Sequence, residues 1–252
     1  MPTESTPTPG PDERLVLSTD ASAVFTVEAI RVGAGETLTL HSPNGAPARV
    51  VTGLLEVGDG GRVVADAALE LRADRALFGV GAAIVLVGKD GDPGTPGGEG
   101  GSRASGDGES GGPGNPGKEG APGPGGTFHF GELSGTLTVE AGGGRGGQGG
   151  RGGRGGLGAA ENPHNPPGRS GNGGAGGPGG PGGKGGFVVI AYDTLVPGSA
   201  INLVVHAPTA GAAGKGGDGG GGGRGRREGA PGPDGASGAE GEPPSFSIRA
   251  RA

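Results

Sequence analysis

The sequence predicts a mostly β fold, in which a β-sandwich or β-solenoid base is continued by a bundle of six left-handed polyglycine II helices. Glycine supplies 69 of the 252 residues and proline 23, against usual shares of about 7% and 5%. Glycine recurs at every third position through six separate runs, and apolar stretches with strand-like alternation lie before and between them. An extended left-handed helix has three residues per turn, so this period keeps one edge of each rod free of side chains and lets two backbones approach.

The chain is expected to form three regions. Residues 1–12 are rich in Pro and Thr and are predicted to be a disordered leader. Residues 13–87 are predicted to be an N-terminal β domain, because short apolar runs with period-two alternation are separated by glycine. The motifs VGAG at 32–35 and VGDG at 57–60 recur 25 residues apart, which suits solenoid coils but leaves an antiparallel sandwich open. Residues 88–252 are predicted to be the polyglycine II bundle with interleaved strands.

The glycine runs alternate with strands and polar turns. The runs, segments one to six, occupy 88–100, 108–126, 142–158, 171–186, 211–223 and 229–241. Strands are predicted within 127–141, 187–207 and 245–250, the middle region being a β-hairpin around Pro197-Gly198. Polar turns at 101–107, 159–170 and 224–228 join the two segments of each pair. This order sends all three turns to the end opposite the β base.

Proline and glycine positions predict how the segments pack. Proline cannot donate a backbone hydrogen bond and must face outward, and Pro93 and Pro96 share one non-glycine register, as do Pro178 and Pro181. Segments three and four have two glycines per triplet, and segment five nearly so, which predicts an interior position for these three. Segments one, two and six have one clear edge and are predicted to be peripheral.

The pattern over 88–252, which includes GGPGGPGGKGGFVVIAYDTL, resembles the polyglycine II sandwich of snow-flea antifreeze protein and of glycine-rich phage tail-fibre adhesins. It also resembles the glycine-rich N-terminal domain of Obg-type GTPases. The resemblance implies a rod bundle on a β base and, for the adhesins, receptor recognition by distal loops. The Obg GTPase domain is missing from this sequence, so that activity does not carry over. The regular small residues that ice binding needs are missing from the outward positions of segments three and four.

Charge and composition argue against several classes of function. The net charge of −6 disfavours nucleic acid and anionic membranes as partners. No apolar stretch approaches the roughly 18–20 residues that span a bilayer, so no membrane insertion is expected. There is no cysteine, hence no disulfide or thiol chemistry. The start of the sequence lacks a basic and then apolar secretory signal. A location on an extracellular surface or a particle is favoured, with the cytoplasm as the alternative.

The sequence predicts neither an enzyme nor a cofactor or metal site. The four histidines are scattered without ligand spacing, and no Ser/His/Asp arrangement is present. Arg145, Arg151 and Arg154 form an arginine–glycine pattern, but RNA-binding segments of this kind carry interleaved aromatic residues for stacking, and none occur here. An RNA-binding module remains an alternative that predicts strongly salt-sensitive retention of RNA.

The three polar turns are the predicted ligand-binding site, because loops on a rigid scaffold are where recognition usually occurs. The expected contact residues face Asp107, Glu161 and Glu228; they are Arg103, His164, Arg169, Arg224, Arg226 and Arg227. The predicted function is a non-enzymatic structural or adhesive protein whose rods display these turns to a surface receptor or polysaccharide. The alternatives are a filament or coat protein that binds copies of itself or a fibre protein, and a collagen-like trimer.

Overall fold

The computed structural model describes residues 14–16, 24–42, 45–164, 166–221 and 227–251. The described residues form eleven β-strands. They are β1 (Arg14–Val16), β2 (Val24–Val32), β3 (Thr37–His41), β4 (Ala48–Val57), β5 (Arg62–Ala65), β6 (Leu69–Phe78), β7 (Ala83–Val87), β8 (Gly126–Gly142), β9 (Phe187–Leu195), β10 (Ala200–His206) and β11 (Ser245–Ala250). The predicted leader, 1–12, lies outside the described residues.

All the strands belong to one parallel sheet that curls back on itself. Its main path runs β1-β3-β5-β7-β8-β6-β4-β2. The long strand β8 belongs to both halves of the sheet: its first part pairs with β6 and β9, and its last part pairs with β7 and β10. β11 extends the sheet beyond β9. The sheet is nearly closed, because its two halves face each other across one apolar core.

The alternation of apolar residues explains this core. Val50 and Leu71 from one half and Leu40 and Ile84 from the other are almost completely buried. β2 and β3 each pair with a strand 25 residues further on, which equals the spacing of the two glycine motifs in the sequence, and β4 and β5 each pair with a strand 21 residues further on. The turns between the halves therefore stack, and the Gly35 amide donates to the carbonyl of Asp59 at 2.8 Å.

The glycine segments lie side by side and are joined by backbone hydrogen bonds. Segment three bonds to segments one, two, four and five through the pairs Gly91 N to Arg145 O, Gly147 N to Lys118 O, Gly177 N to Gly150 O and Gly149 N to Ala212 O, each 2.7–2.9 Å. Segment four bonds to segments two, three, five and six. The predicted interior position of segments three and four is confirmed. Segment five, predicted to be interior, and segment two, predicted to be peripheral, each bond to three neighbours, so the predicted difference between these two is wrong.

The predicted fold class, a β-sandwich or β-solenoid base continued by a bundle of six left-handed polyglycine II helices, is wrong. The described residues contain strands and no helix, and their strands form one nearly closed parallel sheet in place of a separate sandwich. The glycine segments do not continue the end of a base; each pair leaves the sheet after one strand and returns to the next. Alternation and the three-residue period are local signals, and they do not reveal the pairing of strands that are distant in sequence, such as β6 with β8.

The predicted hairpin around Pro197-Gly198 is also wrong. A turn is present, with the Ser199 amide donating to the carbonyl of Val196 at 3.0 Å, but β9 and β10 pair with different parts of β8. The turn is a corner between the two halves of the sheet. Pro-Gly favours a turn, but it does not determine whether the flanking strands pair with each other.

Candidate recognition surface at the distal loops

The three polar turns, called the distal loops (101–107, 159–170 and 224–228), approach one another at the far end of the glycine segments. Of these loops, Asn165 and residues 224–226 lie outside the described part. The amide of Arg103 donates to Leu157 O at 2.9 Å, which joins the first loop to the end of segment three. The amide of Ser170 donates to Arg227 O at 2.8 Å, and Arg169 and Arg227 form a parallel bridge. The backbone therefore places parts of all three loops together.

A buried serine holds the base of this surface. Ser170 is 2% exposed, and its hydroxyl accepts from the Gly158 amide at 3.2 Å and donates to Gly221 O at 2.9 Å. Ser102 plays a similar part in the first loop, where its Oγ accepts from the Leu157 amide at 3.0 Å. Sequence reasoning missed both serines. In the sequence, each is a small hydroxyl residue at the junction of a turn and a glycine run. A hydroxyl at such a position can form hydrogen bonds with backbone groups that have no other partner.

The predicted contact residues are brought together in part. The amide of Arg169 donates to Asp107 Oδ1 at 2.7 Å, so this carboxylate fixes the backbone of the neighbouring loop. Arg103 is exposed and ion-paired with Glu109. His164 is exposed, and its amide donates to Asn162 Oδ1 at 2.9 Å. Arg224 and Arg226 lie outside the described residues.

The distal surface is polar and carries both signs of charge. Within the described residues, the guanidinium groups of Arg154 and Arg169 make no ion pair, while Arg103 is neutralised by Glu109. Arg154 lines a pocket of 230 Å³ beside the first loop, together with Glu99, Ser102 and Leu157. Such a surface offers guanidinium, imidazole and hydroxyl groups as hydrogen-bond donors. The chemistry suits a ligand that is rich in oxygen atoms.

No set of three metal-ligating side chains comes together in the part of the chain that the structure describes. None of the described residues belongs to a helix that could cross a lipid bilayer. Comparison of the chain with protein-family models, with curated proteins and with solved structures finds no match.

Proposed function

We propose that the protein is a non-enzymatic display scaffold, whose distal loops bind a surface receptor or polysaccharide. The observation that carries this proposal is the connection of the loops to one another and to the glycine segments by backbone hydrogen bonds, such as Ser170 N to Arg227 O. A preorganised surface loses less conformational entropy when it binds a ligand. The glycine amides are already bonded within one chain, so the scaffold needs no second chain to form.

The test compares two triple variants on an array of acidic and neutral polysaccharides. One variant carries Arg103→Gln, Arg169→Gln and Arg227→Gln at the distal loops. The other carries Arg31→Gln, Arg75→Gln and Arg145→Gln, which remove the same charge from exposed positions outside these loops. We expect the first to weaken binding at least tenfold, since a hydrogen bond to a charged group contributes about 1.5 kcal/mol or more, and the second to bind like the unmodified chain. Equal binding by both variants would refute the proposal.

A second candidate function, end-to-end assembly into a filament or coat, has its own support. Leu203 and Val205 on β10 and Ile248 on β11 occupy core-facing positions, yet they are 37%, 52% and 43% exposed. In the described part of the chain no strand pairs with the outer edges of β10 and β11. At the opposite end of the strand order, Phe25 on β2 pairs with the buried Val50 and faces the core, yet it is only partly buried.

A second copy would continue both halves of the sheet. Its β1 would pair with β10 of the first copy, and its β2 would pair with β11 of the first copy. This contact joins two different surfaces and repeats indefinitely. Sedimentation and electron microscopy test it with Val205→Lys and with Val80→Lys, a control that changes an exposed valine in a turn. Assembly by the unmodified chain and by Val80→Lys, but not by Val205→Lys, is the expected result. A monomeric unmodified chain would exclude this candidate.

A further inference from the structure

A groove crosses the outward face of the sheet, on β6, β8, β9 and β11. Its volume is 430 Å³, and the residues that define its walls and floor are Arg72, His129, Val189, Ala191, Arg249 and Arg251. None of them belongs to the distal loops. The neighbours of these residues in sequence, such as Leu71, Phe128 and Ile190, point into the core, so alternation along each strand directs the groove residues outward.

Strand register brings the groove residues into one row. Arg72 pairs with His129, His129 with Ala191, and Ala191 with Arg249. Each step between strands is about 4.8 Å, so the backbones of Arg72 and Arg249 are about 14 Å apart. Val189 and Ala191 are short side chains between longer ones, which leaves a depression with an arginine on either side.

The charge of the groove is positive. Glu70 lines its edge but is ion-paired with Arg49 at 3.2 Å. Arg251 Nη1 donates to His129 Nε2 at 2.6 Å, and Asp193 Oδ1 lies 3.4 Å from the same ring nitrogen.

The guanidinium groups of Arg72 and Arg249 have no ion pair or hydrogen bond with any residue that the structure describes. Three arginines thus line the groove, while its lining carboxylate, Glu70, is paired with Arg49, and Asp193 lies beside His129. The two arginines at its ends are available to a ligand.

We propose that this groove binds an oxyanion, with Arg72 and Arg249 as the principal contacts and Arg251 held in place by His129. Arginine presents a planar array of donors that matches carboxylate, phosphate and sulfate groups, and it binds them with paired hydrogen bonds. The oxyanion is either a small free anion or an acidic group of a sugar chain. This site is independent of the distal loops, and its failure would leave the proposed function untouched.

The experiment titrates the full chain with two probes, inorganic phosphate and oligogalacturonate, while NMR follows the His129 ring and the Ala191 amide. We expect a saturable shift of these signals with at least one probe. Arg72→Gln and Arg249→Gln should each weaken binding about tenfold. Arg75→Gln is the matched control, because Arg75 is an exposed arginine on the same strand, outside the groove.

The two probes distinguish the sources of the anion. Tighter binding of oligogalacturonate indicates an acidic sugar chain, and binding of phosphate alone indicates a small anion. Two results would overturn the proposal: no saturable shift with either probe, or the same weakening in Arg75→Gln as in Arg72→Gln and Arg249→Gln, which would mean attraction by overall charge only.

Discussion

At the scale of single residues, the glycines of the segments are required by the closeness of neighbouring backbones. A Cβ added to Gly153 would overlap the carbonyl oxygen of Gly98. Gly98 itself has no atom within 4 Å of the position where its own Cβ would lie. The two residues take part in the same contact between segments three and one, yet only one of them has to be glycine.

Gly153→Ala should therefore destabilise the protein by several kcal/mol, because one of two hydrogen-bonded backbones must move. Gly98→Ala should be neutral or should stabilise by up to about 1 kcal/mol, since alanine restricts the unfolded chain. Urea unfolding of both variants measures the difference. If the two substitutions have equal effects, close backbone packing between segments three and one is refuted.

One carboxylate in the sheet region should make stability depend on pH. Partial burial raises the pKa of Asp66, but hydrogen bonds from His41 Nδ1 and from the Ser42 amide outweigh this effect and hold the pKa below its ordinary value. Between the pKa of Asp66 in the unfolded chain and its lower pKa in the folded chain, the unfolded chain therefore binds more protons than the folded chain. The stabilisation by ionised Asp66 is complete above about pH 5, begins to fall near the unfolded-state pKa of about 3.9, and disappears as the pH falls through the lower pKa of the folded chain.

The measurement compares the free energy of unfolding of the unmodified chain with that of Asp66→Asn between pH 2.5 and 7. We expect the advantage of the unmodified chain to be constant at neutral pH and to shrink in acid. His41→Ala should reduce the same pH dependence, because it removes one donor to the carboxylate. A difference that stays constant across the whole range would contradict the assignment.

At the scale of elements, segment three has two hydrogen-bonded amides per triplet. Gly147 and Gly149 donate to Lys118 O and Ala212 O at 2.8 and 2.9 Å, and Gly150 donates to Asn115 O at 2.8 Å. The amides of Gln148 and Arg151 donate to no group within the residues that the structure describes. Segment three thus differs from a strand in the middle of a sheet, where every amide is hydrogen-bonded, alternately to one neighbouring strand and the other.

Amide hydrogen exchange should show this period directly. We expect slow exchange for Gly147, Gly149 and Gly150 and fast exchange for Gln148 and Arg151, because only the former lack access to water and have a partner. The measurement is NMR-detected exchange at neutral pH. Uniformly fast exchange would mean that the segments are not bonded to one another, and uniformly slow exchange, Gln148 and Arg151 included, would mean that segment three is paired like a strand in the middle of a sheet.

At the scale of the whole molecule, apolar burial and hydrogen bonding are separated in space. The apolar core lies between the halves of the sheet, whereas the glycine segments are joined mainly by backbone bonds. Exposure of apolar surface raises the heat capacity of unfolding, and exposure of polar surface lowers it. We predict that calorimetry gives a value clearly below the roughly 3 kcal/mol/K that is ordinary for 252 residues. A higher value would indicate additional apolar burial, as in an assembly of several copies.

Local sequence predicted the segments and most strand positions, but not the pairing between strands. The predicted strand at 127–141 lies within β8, because alternation and glycine boundaries are local signals. Partners such as Arg72 and His129 are 57 residues apart, and β8 and β9 are separated by two glycine segments. The groove was therefore missed entirely, while the common end of the distal loops followed from the order of segments and turns.

Two glycine segments and one distal loop connect each strand to the next, so the length of the segments determines how far the loops lie from the sheet. Because contacts between segments repeat every three residues, the bundle can grow only in whole triplets, each adding at most about 10 Å of reach when all six segments gain one. An insertion of one or two residues would move bulky side chains into positions where another backbone passes. Evolution can thus adjust the distance from sheet to loops in fixed increments, without altering the composition of either end.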